Sequence, residues 1–149
     1  MPFQPSAAAL QTTEDTRVAL ADLLDAFASG DRERLAACYD DEVDWLFIAP
    51  ASVFPFAGVR HGKVDVIQGF GLLFESYRII EYQTDTMLVD GDWASTLSHG
   101  QMLQLATGRI IRIRTGNFYR FRDGKVIEYR GFTDSLDIVE QVLGRELEF

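Results

Sequence analysis

Residues 77–132 read YRIIEYQTDTMLVDGDWASTLSHGQMLQLATGRIIRIRTGNFYRFRDGKVIEYRGF. Over this stretch apolar residues recur every second position, the period of strands with one buried face. Four strands are predicted: Tyr77 to Val89, Trp93 to Ala106, Arg109 to Arg122 and Lys125 to Phe132. Between them stand Asp90-Gly91-Asp92, Thr107-Gly108 and Asp123-Gly124. Such turns supply the positive φ of tight hairpins, so the strands should pair antiparallel in chain order.

Working outward, the period before Tyr77 is helical. Thr12 and Asp15 have capping-box spacing, and Leu20, Leu23, Leu24 and Phe27 follow on one face. Ser29-Gly30-Asp31 ends that helix, and Asp31 can cap a short second one that buries Leu35, Cys38 and Tyr39. Val43 to Ala49 is read as a strand, Pro50 to His61 as a loop and Lys63 to Glu75 as a third helix. After the meander, Asp134 to Leu143 is an amphipathic helix stopped by Gly144. Residues 1–12 are read as a leader and 13–149 as one domain. The fold class expected is α+β, a cone of N-terminal helices packed on a strongly curved, mainly antiparallel sheet.

The 149 residues carry 23 acids and 14 bases, a net charge of −9, which disfavours nucleic acid and anionic membrane as partners because both are polyanions. Arg109, Arg112, Arg114, Arg120, Arg122, Lys125 and Arg130 form a basic stripe, read as a solvated or paired outer sheet face. Cys38 is the sole cysteine, and the first residues lack the pattern of a secretory signal. A cytoplasmic location without disulfides is therefore expected. The longest uncharged stretch, Trp45 to Val59, is interrupted by Pro50 and Pro55 and falls short of the roughly 20 residues that span a bilayer. His61 and Asp65 have i, i+4 spacing but no further ligands, so no metal site and no cofactor are expected.

On the strand Arg109 to Arg122 the arginines occupy even positions, which makes the odd face, with Thr115, Asn117 and Tyr119, the inside. On the strand before it, Trp93, Leu97, His99 and Leu103 share one parity and Ala94, Thr96, Ser98 and Gly100 the other. Putting the large residues inside sets His99 beside Thr115 and Asn117, the few convergent polar groups of an apolar ligand pocket. The alternative is a core histidine tied by one hydrogen bond. Trp45, Phe47, Tyr129 and Asp44 complete the candidate ligand contacts, and Asp44 or Asp25 could orient the imidazole. The small-residue parity would then face out and allow two sheets to approach closely, predicting a homodimer.

Phe121-Arg-Asp-Gly-Lys-Val-Ile-Glu-Tyr-Arg-Gly-Phe-Thr-Asp134, the Ser29-Gly30-Asp31 break and the Gly58 to Gly62 approach to the third helix resemble the SnoaL-like, ketosteroid-isomerase-like branch of the nuclear transport factor 2 superfamily. The resemblance spans residues of about 13 to 143 and implies the cone fold. It leaves activity to the individual residues, since such cones host isomerases, cyclases, dehydratases, epoxide hydrolases and inert binding modules. Where the steroid isomerases carry a carboxylate base this chain has Phe47 or Ile48, and their helix-one Tyr falls near Leu23. The acids of the limonene epoxide hydrolases are replaced in the set Thr115, Asn117 and Gly131. The chain is similar to scytalone dehydratase in having His99 on one strand and Thr115-Gly116-Asn117 on the next, with Ala28 and Phe47 where that family has an Asp and a Tyr. The resemblance thus implies a cofactor-independent lyase, isomerase or cyclase for a hydrophobic substrate, with His99 moving a proton. The alternative is a non-catalytic ligand-binding or dimeric assembly module.

Overall fold

The computed structural model describes residues 2–149. In chain order the elements are α1 (Ala7–Ser29), α2 (Arg32–Cys38), β1 (Tyr39–Ile48), β2 (Gly58–His61), α3 (Gly62–Ser76), β3 (Tyr77–Asp90), β4 (Trp93–Gln104), β5 (Ile110–Arg122), β6 (Lys125–Thr133) and α4 (Ser135–Leu143). The strands form one sheet in the order β2-β1-β6-β5-β4-β3. Every pairing is antiparallel except β1 with β6. The sheet curls without closing, and the helices fill its hollow side, which is the expected α+β cone. A single buried cluster draws Leu20, Leu35, Val66 and Ile138 from the four helices together with Val43, Ile111 and Val126 from the sheet. No helix among the described residues is long and apolar enough to cross a membrane.

The local signals act as the chemistry requires. Asp31 accepts from Arg34 N at 3.1 Å, Asp134 accepts from Asp137 N at 3.2 Å, and Gly30 and Gly144 end α1 and α4 in the left-handed region. Three boundaries differ from the sequence reading. Helix α1 starts at Ala7, capped by Ser6, so part of the supposed leader is helix and Thr12 and Thr13 bond back to the carbonyls of Ala8 and Ala9. Strand β1 begins at Tyr39 and carries a bulge before Asp44. Within the supposed loop, Gly58–His61 forms β2, which pairs with Asp44–Phe47.

Two features shape the sheet. The register of β3 on β4 shifts between Ile79 and Glu81 and again between Thr84 and Thr86, leaving Ile80 and Asp85 as bulges. The inward residues of β3 are therefore Tyr77, Ile79, Tyr82, Thr84, Met87 and Val89, a sequence no strict alternation produces. On β5, pairing with β6 starts only at Thr115. Before it, the Gln141 amide of α4 takes the place of a strand, donating to Arg112 O at 2.8 Å and accepting from Arg112 N at 2.7 Å.

The inward face of β5 is the odd one, as expected, with Ile111, Ile113, Asn117, Tyr119 and Phe121 buried. On β4 the expectation is corrected: Ala94, Thr96, Ser98, Gly100 and Met102 are buried, while Trp93, Leu97 and His99 point out. The cause is crowding. Helix α1 docks onto the β3–β4 hairpin, with Thr16 Oγ1 donating to Gly91 O at 2.7 Å and Gly91 N donating to Thr13 Oγ1 at 2.9 Å. Aromatic rings from α1, α3 and the neighbouring strands crowd the hollow above β4, so small side chains fit beneath them from Ala94 to Gly100, and only Met102 further along reaches the cavity.

Candidate functional site

Inside the cone lies a cavity of about 90 Å³. Leu23, Leu24 and Phe27 of α1, Phe70 and Leu73 of α3, and Phe54 and Phe56 of the segment before β2 wall it opposite the inner sheet face. It is smaller than an apolar cavity of roughly 150 Å³ known to take benzene, so a six-membered ring enters only as the surrounding side chains move apart. The rings interlock: Trp45 stacks on Tyr129 with centroids 5.2 Å apart, and Phe27 meets Tyr82 edge-on at 4.9 Å.

One polar chain runs across the sheet side. Tyr129 OH donates to Asn117 Oδ1 at 2.7 Å; Asn117 Nδ2 donates to Thr96 Oγ1 and to Thr115 Oγ1, each at 3.1 Å; and Thr115 Oγ1 shares a 2.9 Å bond with Tyr82 OH. Asn117 is only 3% exposed, so this chain operates out of water, where hydrogen bonds are stronger and unpaired groups costlier. Burial raises the pKa of Tyr39, Tyr119 and Tyr129 far above the ordinary phenol value, which keeps them protonated. The buried indole N–H of Trp45 makes no hydrogen bond, although the Tyr39 hydroxyl lies close enough to feel it. Among the described residues, no Asp, Glu, His, Lys, Arg or Cys lines the cavity.

Of the candidates named from sequence, Trp45, Phe47, Thr115, Asn117, Tyr119 and Tyr129 all line the cavity. His99 and Asp44 do not. His99 sits on the outer face with its side chain 42% exposed, Nδ1 lying 2.8 Å from Asp85 Oδ2, in a shallow groove with Arg112 and Arg114. Its position follows from the β4 parity, and a substrate in the cone is beyond its reach. Asp44 turns outward to Arg130 Nη2 at 2.9 Å. Asp25 is likewise held away, on the α1 surface, by Arg34 Nη1 at 2.8 Å. The sequence reading missed Tyr82, Tyr39 and the Phe54–Phe56 wall. The signal for Tyr82 was there, because the apolar spacing in 77–89 jumps from two to three at each bulge.

Residues 20–129 match the family model of the SnoaL-like domain. No curated protein matches the chain. Among solved structures, a "putative isomerase" from Rhodopseudomonas palustris is 30% identical, with 85% of this chain and 97% of that chain covered at a TM-score of 0.81. An epoxide hydrolase of M. tuberculosis, described as LEH-like, is 14% identical over 89% of this chain and 92% of its own, TM-score 0.72. TerC, co-crystallised with polyporic acid, is 14% identical over 87% and 98% of the two chains, TM-score 0.74. At such identities the last two likenesses are of fold alone.

Proposed function

Since this chain belongs to the SnoaL-like domain family, we propose that it is an isomerase-type enzyme acting inside the cone on a small, largely apolar organic molecule that carries an oxygen. The observation that carries this reading is the composition of the cavity wall, apolar and aromatic around one chain of neutral hydroxyl and amide groups. Neutral donors in a water-poor site polarise a C=O or C–O bond without reorganising as charge develops. With no carboxylate or imidazole among the lining residues and Tyr39, Tyr119 and Tyr129 held protonated by burial, the wall offers hydrogen-bond donors and no strong base. That favours rearrangement or ring closure over elimination. Trp45, Phe47, Tyr119 and Tyr129 would hold the apolar body, and Thr115 the oxygen.

The same absence of an acid or base favours one rival, a binding module without turnover. Native mass spectrometry of the purified protein, followed by incubation with small cyclic ketones, enones and epoxides and product analysis by NMR, separates the two. An isomeric product that disappears in Ala49→Trp, which sets a large ring at a position lining the cavity, supports the enzyme. Binding without any product across the panel rejects it, and no binding at all rejects the site.

Self-association belongs to this reading too. The outer sheet face exposes Leu97, Phe118, Phe132 and Trp93 beside one another, with Phe118 and Phe132 in edge contact and Arg120 over the Trp93 ring. An apolar patch of this kind on a curved sheet suits a two-fold partner copy. A cytoplasmic place of action, on the single unpaired Cys38, completes it.

A further inference from the structure

The hydrogen-bond chain has a countable end. Asn117 is saturated as a donor, since its two N–H groups go to Thr96 and Thr115, and its Oδ1 holds the Tyr129 hydroxyl. It has no N–H left for a ligand. Thr115 Oγ1 accepts one bond from Asn117 and shares one with Tyr82 OH. These two hydroxyls own two protons, and the bond between them uses one. If Tyr82 donates to Thr115, the Thr115 proton is left over; if Thr115 donates to Tyr82, the Tyr82 proton is. Both side chains line the cavity.

We infer that Tyr82 and Thr115 jointly present a single hydrogen-bond donor to a ligand oxygen, with Asn117 a positioning residue that holds Thr115 rather than the ligand. The inference rests on the cone being the ligand site, and it makes Tyr82 a determinant of specificity. The donor passes from one hydroxyl to the other by rotating two O–H bonds, so the pair serves whichever oxygen geometry the ligand brings. In a wall with no charged group, a neutral acceptor fits best, and so small a cavity favours a single ring over a fused one. The ligand class is therefore a monocyclic ketone or a ring oxygen of similar basicity.

Sharing has a distinctive consequence for variants. In Tyr82→Phe the Thr115 proton has no other use, and in Thr115→Val the Tyr82 proton has none. Each single variant keeps one donor, and only the double variant loses it.

The probes are cyclohexanone, ¹³C-labelled at the carbonyl, and methylenecyclohexane, a hydrocarbon of nearly the same shape. Binding is measured by calorimetry and the carbonyl stretch by infrared difference spectroscopy. The wild type should prefer the ketone by about 5-fold, the scale of one neutral hydrogen bond, with the carbonyl band lowered. Tyr82→Phe, Thr115→Val and Thr115→Ser should all retain the lowered band. Tyr82→Phe/Thr115→Val should lose it and bind both probes alike.

Loss of the shift in either single variant overturns the inference, because the donor then belongs to one residue. So does a shift that persists in the double variant, which would assign the donor elsewhere, with the hydroxyls of Tyr39 and Tyr119, which also line the cavity, first in line. Equal binding of both probes by the wild type with an unshifted band rejects the shared donor and leaves the cone as a binding site. Failure of the wild type to bind either probe rejects the site and the inference together.

Discussion

Gly131 stands directly beneath the Tyr129 hydroxyl: a methyl group on it would occupy the place of that oxygen and would come within 2.7 Å of Phe47 Cδ2. The absent side chain is what lets Tyr129 lie flat on Trp45 and reach Asn117. Gly131→Ala should therefore evict the hydroxyl and leave Asn117 Oδ1 unpaired. Overpacking and an orphaned buried acceptor each cost on the order of 1–3 kcal/mol, which together lower the melting temperature of a chain of this length by roughly 6–20 °C. Calorimetry checks this, and a variant that melts with the wild type would show that the ring moves aside freely.

Arg60 ties the front wall of the cavity down. Its guanidinium donates to Phe56 O and Pro55 O, each at 3.0 Å, and to Asp65 Oδ1 at 2.9 Å, with the side chain only 11% exposed. Removing it by Arg60→Met should loosen the segment that carries Phe54 and Phe56 while leaving the sheet intact. The amides of Phe54 and Ala57, bonded to Pro50 O and Phe54 O, should exchange hydrogen roughly 5-fold faster or more, as expected for about 1 kcal/mol of lost local protection. Unchanged exchange there, or equal acceleration throughout β5, would count against the clamp.

Stability should fall at alkaline pH, and the sign can be worked through. Burial, reinforced by Asp22, pushes the Cys38 thiol up from 9.0 to about 11, and burial raises Tyr39, Tyr119 and Tyr129 as well. Above pH 9 the unfolded chain releases these protons while the native chain keeps them. The unfolded state then binds fewer protons, so stability declines as pH rises. Melting temperatures should be level in this respect up to about pH 8.5 and drop beyond it, with Cys38→Ala flattening the early part of the slope. A variant with the same slope as wild type would exclude the thiol as a contributor.

The outer face gives a prediction about assembly. Leu97 is 58% exposed and Phe118 52%, and the rings beside them leave little room for a charge at a packed interface. Light scattering should give the wild type about twice its 16.8 kDa, and Leu97→Asp should return it to the monomer mass with the fold retained by circular dichroism. A wild type already at the monomer mass in micromolar solution removes the dimer.

The meander was legible because its determinants are local. Asp123-Gly124 makes its turn with both residues at positive φ, and the arginines of β5 name its wet face without reference to anything else. The parity of β4 was not legible, because it depends on what stands above the strand. Ala94 and Thr96 face inward beside Tyr119 of the next strand, and no property of β4 itself records what packs above it. His99 was misplaced for that reason alone, while Thr115, Asn117 and Tyr119 were placed correctly from β5. Tyr82 escaped because a bulge shifts the phase of an alternating strand, so counting by two from Tyr77 puts it on the wrong side. The first turns of α1 were hidden by Thr12, whose hydroxyl and spacing to Asp15 suit a cap but which here returns to the Ala8 carbonyl one turn back.

The bulges at Ile80 and Asp85 bear on solubility as well as on shape. β3 is the free margin of the sheet, fourteen residues long, and a straight ribbon of that length would be an open template for a neighbouring chain to add a strand, the first step of fibrous aggregation. Two extra residues break the row of free amides and carbonyls into short, differently aimed runs, and Arg78, Glu81 and Asp85 set charge along it. A margin broken this way is poorly made for joining copies of the chain edge to edge. Straightening the strand by deleting Asp85 should therefore show itself less in the cavity than in the tube, as turbidity on standing.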